Sequence, residues 1–425
     1  MLIMVKVKNC FIFNEEVLFS LKADMRNKRF ASNVYQNGYF HVLKVAGVYG
    51  SNNSGKTCLI KCIRSVMNVL KNEPINILPN IFSNNDICEL EIRFLEQNRE
   101  FKYSFKYACG KNEFVYEEFS EIIKDKQGKE REDIFFVRDT LHKNFKCKDK
   151  DVQYLLSVIA QNNILIYLVN TETSPLVNEI KNILLSFANK VDIVDLNNIP
   201  LQHTIKLLKN KSNLQEKIVN FIKNADLYLD DFKYVKIDPS VIKKDLEKAK
   251  PEEKVLDIPE TLLDRICLIS TYRGHEVPSL IFDSTGTKKI AALASYIIEA
   301  LEQGRILIVD ELDNSIHFKL TRAIVAMFNN ELNTKAQLIF AVHDINLLDC
   351  KRLFRKEQIW FIHKDNNGVY VYSLAEFTAN KDGVRDTSDI KEKYKKGLLG
   401  ALPEPNLIQS LLDISNEQRG TKNAS

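Results

Sequence analysis

Hydrophobic and polar positions change period several times along the chain of 425 residues. The opening segment LIMVKVKN alternates, EEVLFSLKA alternates again, and VLKVAGVYG is a continuous apolar run. Residues 1–50 therefore predict two half-buried strands followed by a fully buried one. Residues 57–72 switch to helical spacing, with Leu59, Ile60, Ile63, Val66, Met67 and Leu70 on one face. Alternation returns in ICELEIRFLE, REFKYSFKYAC and EFVYEEFSEII, and the polar turns between them predict an antiparallel meander over about 87–124. Residues 152–270 read as mostly helical with Lys-rich surfaces. Beyond them helical and strand periods alternate, in TKKIAALASYIIEALEQ, RILIVDE, HFKLTRAIVAMFNN, AQLIFAVHD, EQIWFIHKD and GVYVYSLAEF.

A nucleotide-binding sheet split by a long insertion gives this order of elements. The expected division is an N-terminal lobe over 1–124, a mostly helical insertion over 125–270, a C-terminal lobe over 271–415 and a frayed tail over 416–425. Length alone exceeds what one compact core usually holds. Sixty basic residues face fifty-six acidic ones, a balance unlike that of a chain coated to grip nucleic acid. The one local basic run, HKNFKCKDK at 142–150, reads first as a solvated loop. Eight cysteines include no CxxC pair, so no zinc ribbon is indicated. With no secretory leader in view, they suggest a reducing cytoplasm. No apolar stretch reaches membrane-spanning length, and no membrane partner is expected.

The chemistry concentrates at four places. GSNNSGKT runs Gly50, Ser51, Asn52, Asn53, Ser54, Gly55, Lys56, Thr57, after a buried strand and before a helix. That is the context in which G-x-x-x-x-G-K-[ST] cradles phosphates. The glycines let the backbone curl and turn its N–H groups inward, Lys56 offers a point charge to the β- and γ-phosphates, and Thr57 offers a hydroxyl to Mg²⁺. RILIVDELDNSIHF holds a buried strand that ends in Asp310, placed to hold Mg²⁺ through water. Glu311 follows as the candidate base for an attacking water. AQLIFAVHD ends a further buried strand in His343, a candidate sensor of the γ-phosphate.

FDSTGTKK precedes a helix. Ser284 or Thr285 can cap it, and with Gly286 and Thr287 the exposed N–H groups form a second anion site. A site so close in sequence to Asp310 is hard to fold back onto the same chain's phosphate loop. From these residues alone, a plain helix cap and half a catalytic site remain equally open.

Together the four motifs resemble an ABC-class ATPase head of the SMC, Rad50, RecF and OLD group. The resemblance implies an α/β fold, a mixed central sheet around the phosphate loop, with an antiparallel β-meander and an inserted helical lobe. STGT at 284–287 takes the place of the signature, which in that group binds the γ-phosphate of ATP held by a partner subunit. Asp310 and Glu311 match the metal-binding aspartate and catalytic glutamate, LDNSIH at 312–317 the D-loop, and His343 the switch histidine. For the Q-loop glutamine, a metal ligand, LLSVIAQNN suggests Gln161, with Gln153 as the alternative.

The chain is similar in particular to the RloA-like ATPases of bacterial defence and restriction islands. The resembling segments are GSNNSGKT, FDSTGTKK, LIVDELDNSIHFKL, QLIFAVHD, EQIWFIHKDNNGVYVYSLAEF and YKKGLLGALP. Asp283 stands where a Glu is usual and Phe318 where a Pro is usual. The resemblance implies ATP and Mg²⁺ as cofactors, a homodimer closed on ATP, and a separate nuclease or toxin subunit under its control in defence against phage. It leaves DNA open as a further ligand, since a repair or chromosome-maintenance ATPase of RecF or SMC type uses the same head. The sequence lacks the long heptad arms of SMC and Rad50 proteins.

Overall fold

The computed structural model describes residues 1–124, 129–170, 174–210, 213–225, 228–238, 259–366, 368–385, 387–402 and 408. The charged stretch KKDLEKAKPEEK and the tail 416–425, expected to be frayed, lie outside the described residues.

Two large sheets form the frame. The first is antiparallel and seven-stranded, in the order β10-β9-β8-β7-β6-β1-β2. Its strands are β1 (Leu2–Lys8), β2 (Val17–Ser20), β6 (Ile87–Glu96), β7 (Arg99–Ala108), β8 (Glu113–Lys124), β9 (Glu130–Asp139) and β10 (Asn144–Cys147). The second is six-stranded, in the order β11-β15-β16-β5-β17-β18. It comprises β5 (Val45–Tyr49), β11 (Val191–Asp195), β15 (Ile306–Asp310), β16 (Gln337–Ala341), β17 (Ile359–Asp365) and β18 (Gly368–Ser373). The first five positions of that order are parallel and β18 is an antiparallel edge, so this is the mixed sheet the motifs imply. The β5, β15 and β16 strands are buried at every residue. They therefore read as unbroken apolar runs rather than alternations.

Helix Lys56–Lys71 lies between the sheets. It packs against β11 and β15 and against helix Pro175–Asn189, which in turn packs on β6. Contact on two sides explains why Leu59, Ile60, Cys62, Ile63, Val66, Met67, Val69 and Leu70 are all buried, a wider arc than one amphipathic stripe. Each such aliphatic side chain contributes about 1.5–3 kcal/mol on burial. Helices Thr285–Gln303 and Phe318–Asn329 cover the far face of the six-stranded sheet and build a second core with it.

A single buried amide stitches the sheets together. Gln337 accepts at Oε1 from Leu2 N at 2.9 Å and donates through Nε2 to Leu2 O at 3.0 Å and Leu43 O at 2.9 Å. Leu43 ends β4 (Phe40–Leu43), which pairs with β3 (Val34–Asn37) and meets the chain after β2 through an antiparallel bridge between Val42 and Lys22.

A smaller lobe carries FDSTGTKK. It contains helices Gln202–Lys209 and Gln215–Asn224 and a three-stranded sheet of β12 (Asp231–Tyr234), β13 (Leu268–Tyr272) and β14 (His275–Pro278). Its core closes on the small side chains Ala291, Ala292 and Ala294 of helix Thr285–Gln303.

Two expectations about organisation are corrected. The meander does not stop at 124, because β8 pairs with β9 from Tyr116 to Lys124 and β9 with β10. The boundary expected at 125 thus falls between paired strands, and residues 130–147 belong to the first sheet rather than to a helical insertion. The stretch 152–270 also supplies β11, in parallel register with β15 from Val191↔Ile306 to Asp195↔Asp310.

Candidate nucleotide-binding site

The phosphate loop leaves the end of β5 at Tyr49 and closes at Gly55, where φ is +118° and a Cβ would meet Ile12 Cδ1 at 2.1 Å. Only glycine meets both conditions at that turn. Asn52 and Asn53 are exposed at its tip, whereas Ser54 is buried and its Oγ has no hydrogen-bond partner. Lys56 is buried and folds back into the loop, donating from Nζ to Gly50 O at 2.7 Å and Ser51 O at 2.9 Å. Burial pushes its ammonium down to about 8, against the opposing pull of Asp310, Asp313 and Glu311. A cation held at such cost against backbone carbonyls is poised for a stronger anion.

Asp310 ends β15, beside the loop. Its carboxyl is pushed upward, chiefly by burial, while the Thr57 side chain opposes that shift by hydrogen bonding and the charges of Glu311 and Asp195 add to it. Oδ1 of Asp310 is buried without a hydrogen-bond partner. An orphaned carboxylate oxygen with the Thr57 hydroxyl alongside fits a hard cation such as Mg²⁺, which takes one or two protein oxygens and completes its shell with phosphate and water. No group of three or more acidic, His or Cys side chains among the described residues could hold a metal by itself. A P-loop metal needs none.

Glu311 leaves the strand in the left-handed region, at φ +54°. It accepts at Oε2 from Asn314 Nδ2 at 2.9 Å. His343 follows β16, with Nδ1 lying 3.5 Å from Lys56 Nζ. Its imidazole is pushed downward by desolvation first and by the Lys56 charge second. Asp313 fixes this corner, because Oδ2 accepts from His343 N at 2.9 Å and from Asp344 N at 2.6 Å. Lys56, Thr57, Asp310, Glu311 and His343 therefore converge at one end of the parallel strands, where α/β sheets bind ligands.

Ser284, Gly286 and Thr287 stand at the start of a helix rather than within this cluster. Ser284 caps helix Thr285–Gln303, with Oγ accepting from Thr287 N at 3.1 Å and lying 2.9 Å from Thr287 Oγ1. The cap is held from below by Asp283, whose carboxylate accepts from Ser270 Oγ at 2.7 Å, Tyr272 OH at 2.8 Å and Ser279 Oγ at 2.6 Å. A shorter Asp in place of Glu is thus fully used by three hydroxyls. A Cβ on Gly286 would lie 2.7 Å from Ser315 O, so this residue must be small for the helix start to rest on the turn after Glu311. Among the described residues no hydrogen bond joins Ser284, Gly286 or Thr287 to residues 50–57.

Gln161 is not at this site. Its backbone oxygen accepts from Phe114 N at 2.7 Å and its Oε1 from Thr140 Oγ1 at 3.3 Å. Asn163, two residues on, donates to Asn72 Oδ1 at 3.0 Å. Asn72 caps the far end of helix Lys56–Lys71, about 24 Å from the phosphate loop at about 1.5 Å per residue. Gln153 is exposed on the short helix Lys150–Leu156 beside β10. Neither reaches a metal at Asp310. The polar residues that β11 does bring beside this corner are Asp195, in register with Asp310, and Asn197, whose Oδ1 accepts from Asn314 Nδ2 at 2.7 Å. The available signal was VDIVDLN, a short apolar segment interrupted by Asp192 that reaches Asp195 much as the apolar run in RILIVDE reaches Asp310.

A family model described as "AAA domain, putative AbiEii toxin, Type IV TA system" matches residues 45–349, from β5 to beyond His343. The chain belongs to this AAA-domain family. Similar solved structures include the SMC head domain from Thermotoga maritima, 12% identical, covering 88% of this AAA-domain chain and 98% of that one at a TM-score of 0.39. An SmcHead bound to the C-winged helix domain of ScpA is 12% identical, with 88% and 97% covered at 0.45. The Smc head domain with an extended coiled coil bound to the C-terminal domain of ScpA, from Pyrococcus furiosus, is 12% identical, with 93% and 99% covered at 0.40. No curated protein matches the chain. No helix among the described residues is long and apolar enough to cross a membrane.

Proposed function

We propose that this AAA-domain protein hydrolyses ATP with Mg²⁺ at sites shared between two copies of the chain. The observation that carries the proposal is the convergence of Lys56, Thr57, Asp310, Glu311 and His343 while Ser284, Gly286 and Thr287 stand on a separate helix start with no bond to residues 50–57. One copy would supply the phosphate loop, metal site and base. The other would supply the Ser284 cap and its N–H groups to the γ-phosphate, in keeping with anion binding at helix N-termini. Thr57 and Asp310 would hold Mg²⁺, which neutralises phosphate charge when bound. Glu311 would take the proton of the attacking water. Pairing would then depend on ATP, and hydrolysis would release it.

The biological reading is the sensor or regulatory ATPase of an anti-phage defence system that acts through a separate nuclease or toxin subunit. The family description, with its AbiEii and toxin–antitoxin wording, supports a setting of this kind. Glu311→Gln tests the chemistry. This variant should bind ATP, accumulate as a nucleotide-bound dimer in sedimentation, and turn over at least about 10²-fold more slowly. Wild-type turnover by Glu311→Gln would overturn the assignment of the base.

A further inference from the structure

The antiparallel edge of the six-stranded sheet carries a cavity that ATP hydrolysis leaves unused. It measures about 410 Å³ and is lined by His363, Tyr370, Tyr372, Glu376, Phe377 and Asp382. Cavities for small ligands run from about 300 Å³ upward. Three phenyl or phenol rings, one imidazole and two carboxylates thus face one space, and among the described residues no lysine or arginine lines it. Lys356 donates to Phe377 O and to Val384 O and so is engaged on backbone carbonyls.

Strand register builds the aromatic wall. His363 in β17 pairs with Tyr370 in β18, and Phe361 pairs with Tyr372. Residues two apart on a strand share a face, so His363, Tyr370 and Tyr372 stand side by side. Phe377 follows the turn Leu374–Glu376 and sets its ring 5.8 Å from that of Tyr372, tilted by 55°. Tyr372 is anchored, its OH donating to Leu399 O at 2.7 Å. Tyr370 forms an open rim, 46% exposed. The carboxylates are held by the backbone: Glu376 Oε1 accepts from Ser373 N at 2.7 Å, and Asp382 Oδ2 accepts from Thr378 N at 2.7 Å. Among the described residues, the second oxygen of each accepts no protein hydrogen bond.

Ring faces and carboxylates both present negative charge, so the cavity attracts a cation. A guanidinium suits it better than an ammonium. It is flat enough to stack on a ring, and its five donors reach acceptors on two sides at once. Glu376 and Asp382 offer such acceptors from two separate turns. We infer that this cavity receives an arginine side chain presented by a protein partner. A free cation would stay largely hydrated here, because Tyr370, Glu376 and Asp382 are all exposed, whereas the surface that carries an arginine would cover them. The partner would sit beside the nucleotide site, since Ile362, next to His363, puts its carbonyl oxygen 2.4 Å from where a Cβ on Gly50 would stand. The inference does not depend on the shared-site reading.

The test titrates the full chain with three probes, read by saturation-transfer NMR. They are the blocked tripeptide Gly-Arg-Gly, its citrulline counterpart, which keeps the shape and lacks the charge, and agmatine, a free guanidinium. The citrulline peptide should bind about tenfold more weakly than the arginine peptide. Agmatine should bind no more tightly than the arginine peptide. Tyr370→Ala should weaken the arginine peptide by about threefold, and Glu376→Gln combined with Asp382→Asn by about tenfold. These variants spare the fold, because Tyr370 is exposed and both amides still accept from Ser373 N and Thr378 N. Equal binding of the arginine and citrulline peptides, or arginine binding unmoved by every variant, would overturn the site. Agmatine binding about tenfold tighter than the arginine peptide would overturn the protein partner and assign the cavity to a free cation. None of these results bears on the ATPase reading, which Glu311→Gln tests separately.

Discussion

Lys56 Nζ and His343 Nδ1 lie 3.5 Å apart although 287 positions separate them in the chain. The contact exists because β16, which delivers His343, pairs in parallel with β5, which delivers the phosphate loop. Both groups are held in shifted states by this placement. Desolvation lowers each, and the Lys56 charge lowers His343 further. A γ-phosphate between or beside them would relieve both shifts at once.

ATP affinity should therefore depend on pH with a defined sign. In the nucleotide-free protein Lys56 titrates at about 8, and only its protonated form attracts phosphate. Binding above that pH must take up a proton. Kd should be level on the acid side of 8 and rise about tenfold per pH unit beyond it. Isothermal titration at several pH values in buffers of different ionisation enthalpy checks both the slope and the proton uptake. For folding the sign is opposite. Lys56 is lowered from its ordinary 10.5, so the unfolded chain holds more protons between about 8 and 10.5. The Lys56 contribution to stability rises with pH across that window.

Asp195 should matter for the metal and not for the nucleotide alone. It stands in register with Asp310 and adds to the upward shift of that carboxyl. Asp195→Ala should raise the Mg²⁺ concentration for half-maximal turnover by about tenfold, the size expected for loss of an outer partner of a metal ligand. Binding of ATP in the absence of Mg²⁺ should be unchanged. Magnesium titrations of turnover and of nucleotide binding separate the two effects.

Most of one side of the site was legible in the sequence, and the reason is burial. The β5, β15 and β16 strands are covered on both faces, so they leave apolar runs whose ends mark Gly50, Asp310 and His343 directly. The Ser284 cap was legible for a different reason, since capping needs only local geometry. The neighbouring β11 was missed because Asp192 and Ile193 are only partly buried and Asp192 pairs with Arg305 at 2.6 Å, which gives a short, half-polar strand. Without β11 nothing pointed to Asp195 and Asn197, and a glutamine was sought in the wrong segment. The continuation of the meander into β9 was hidden by EREDI. Its four consecutive charges alternate between both faces of a strand end that is exposed on each, and they pair across strands, as Glu130 does with Lys22 and Arg93.

The stitch between the two sheets should be strong. Gln337→Leu keeps side-chain bulk but leaves Leu2 N, Leu2 O and Leu43 O without their buried partner. The expected loss is about 3 kcal/mol, from unsatisfied groups at about 1–3 kcal/mol each with partial relaxation. Urea denaturation followed by tryptophan fluorescence reads it. Trp360 in β17 is the single tryptophan of the chain and packs edge-on to Phe19 next to the stitched region.

The claim that two copies complete each site has a direct test in mixed dimers. Lys56→Ala removes the phosphate-binding ammonium and Ser284→Arg blocks the cap, so each purified variant alone should turn over ATP at about 1% of wild type or less. Mixed in equal amounts, the two should regain at least about a tenth of wild-type turnover. One of the two sites in every heterodimer then pairs an intact Lys56 with an intact Ser284. Wild-type turnover by Ser284→Arg alone, or a mixture no more active than its components, would contradict the shared site.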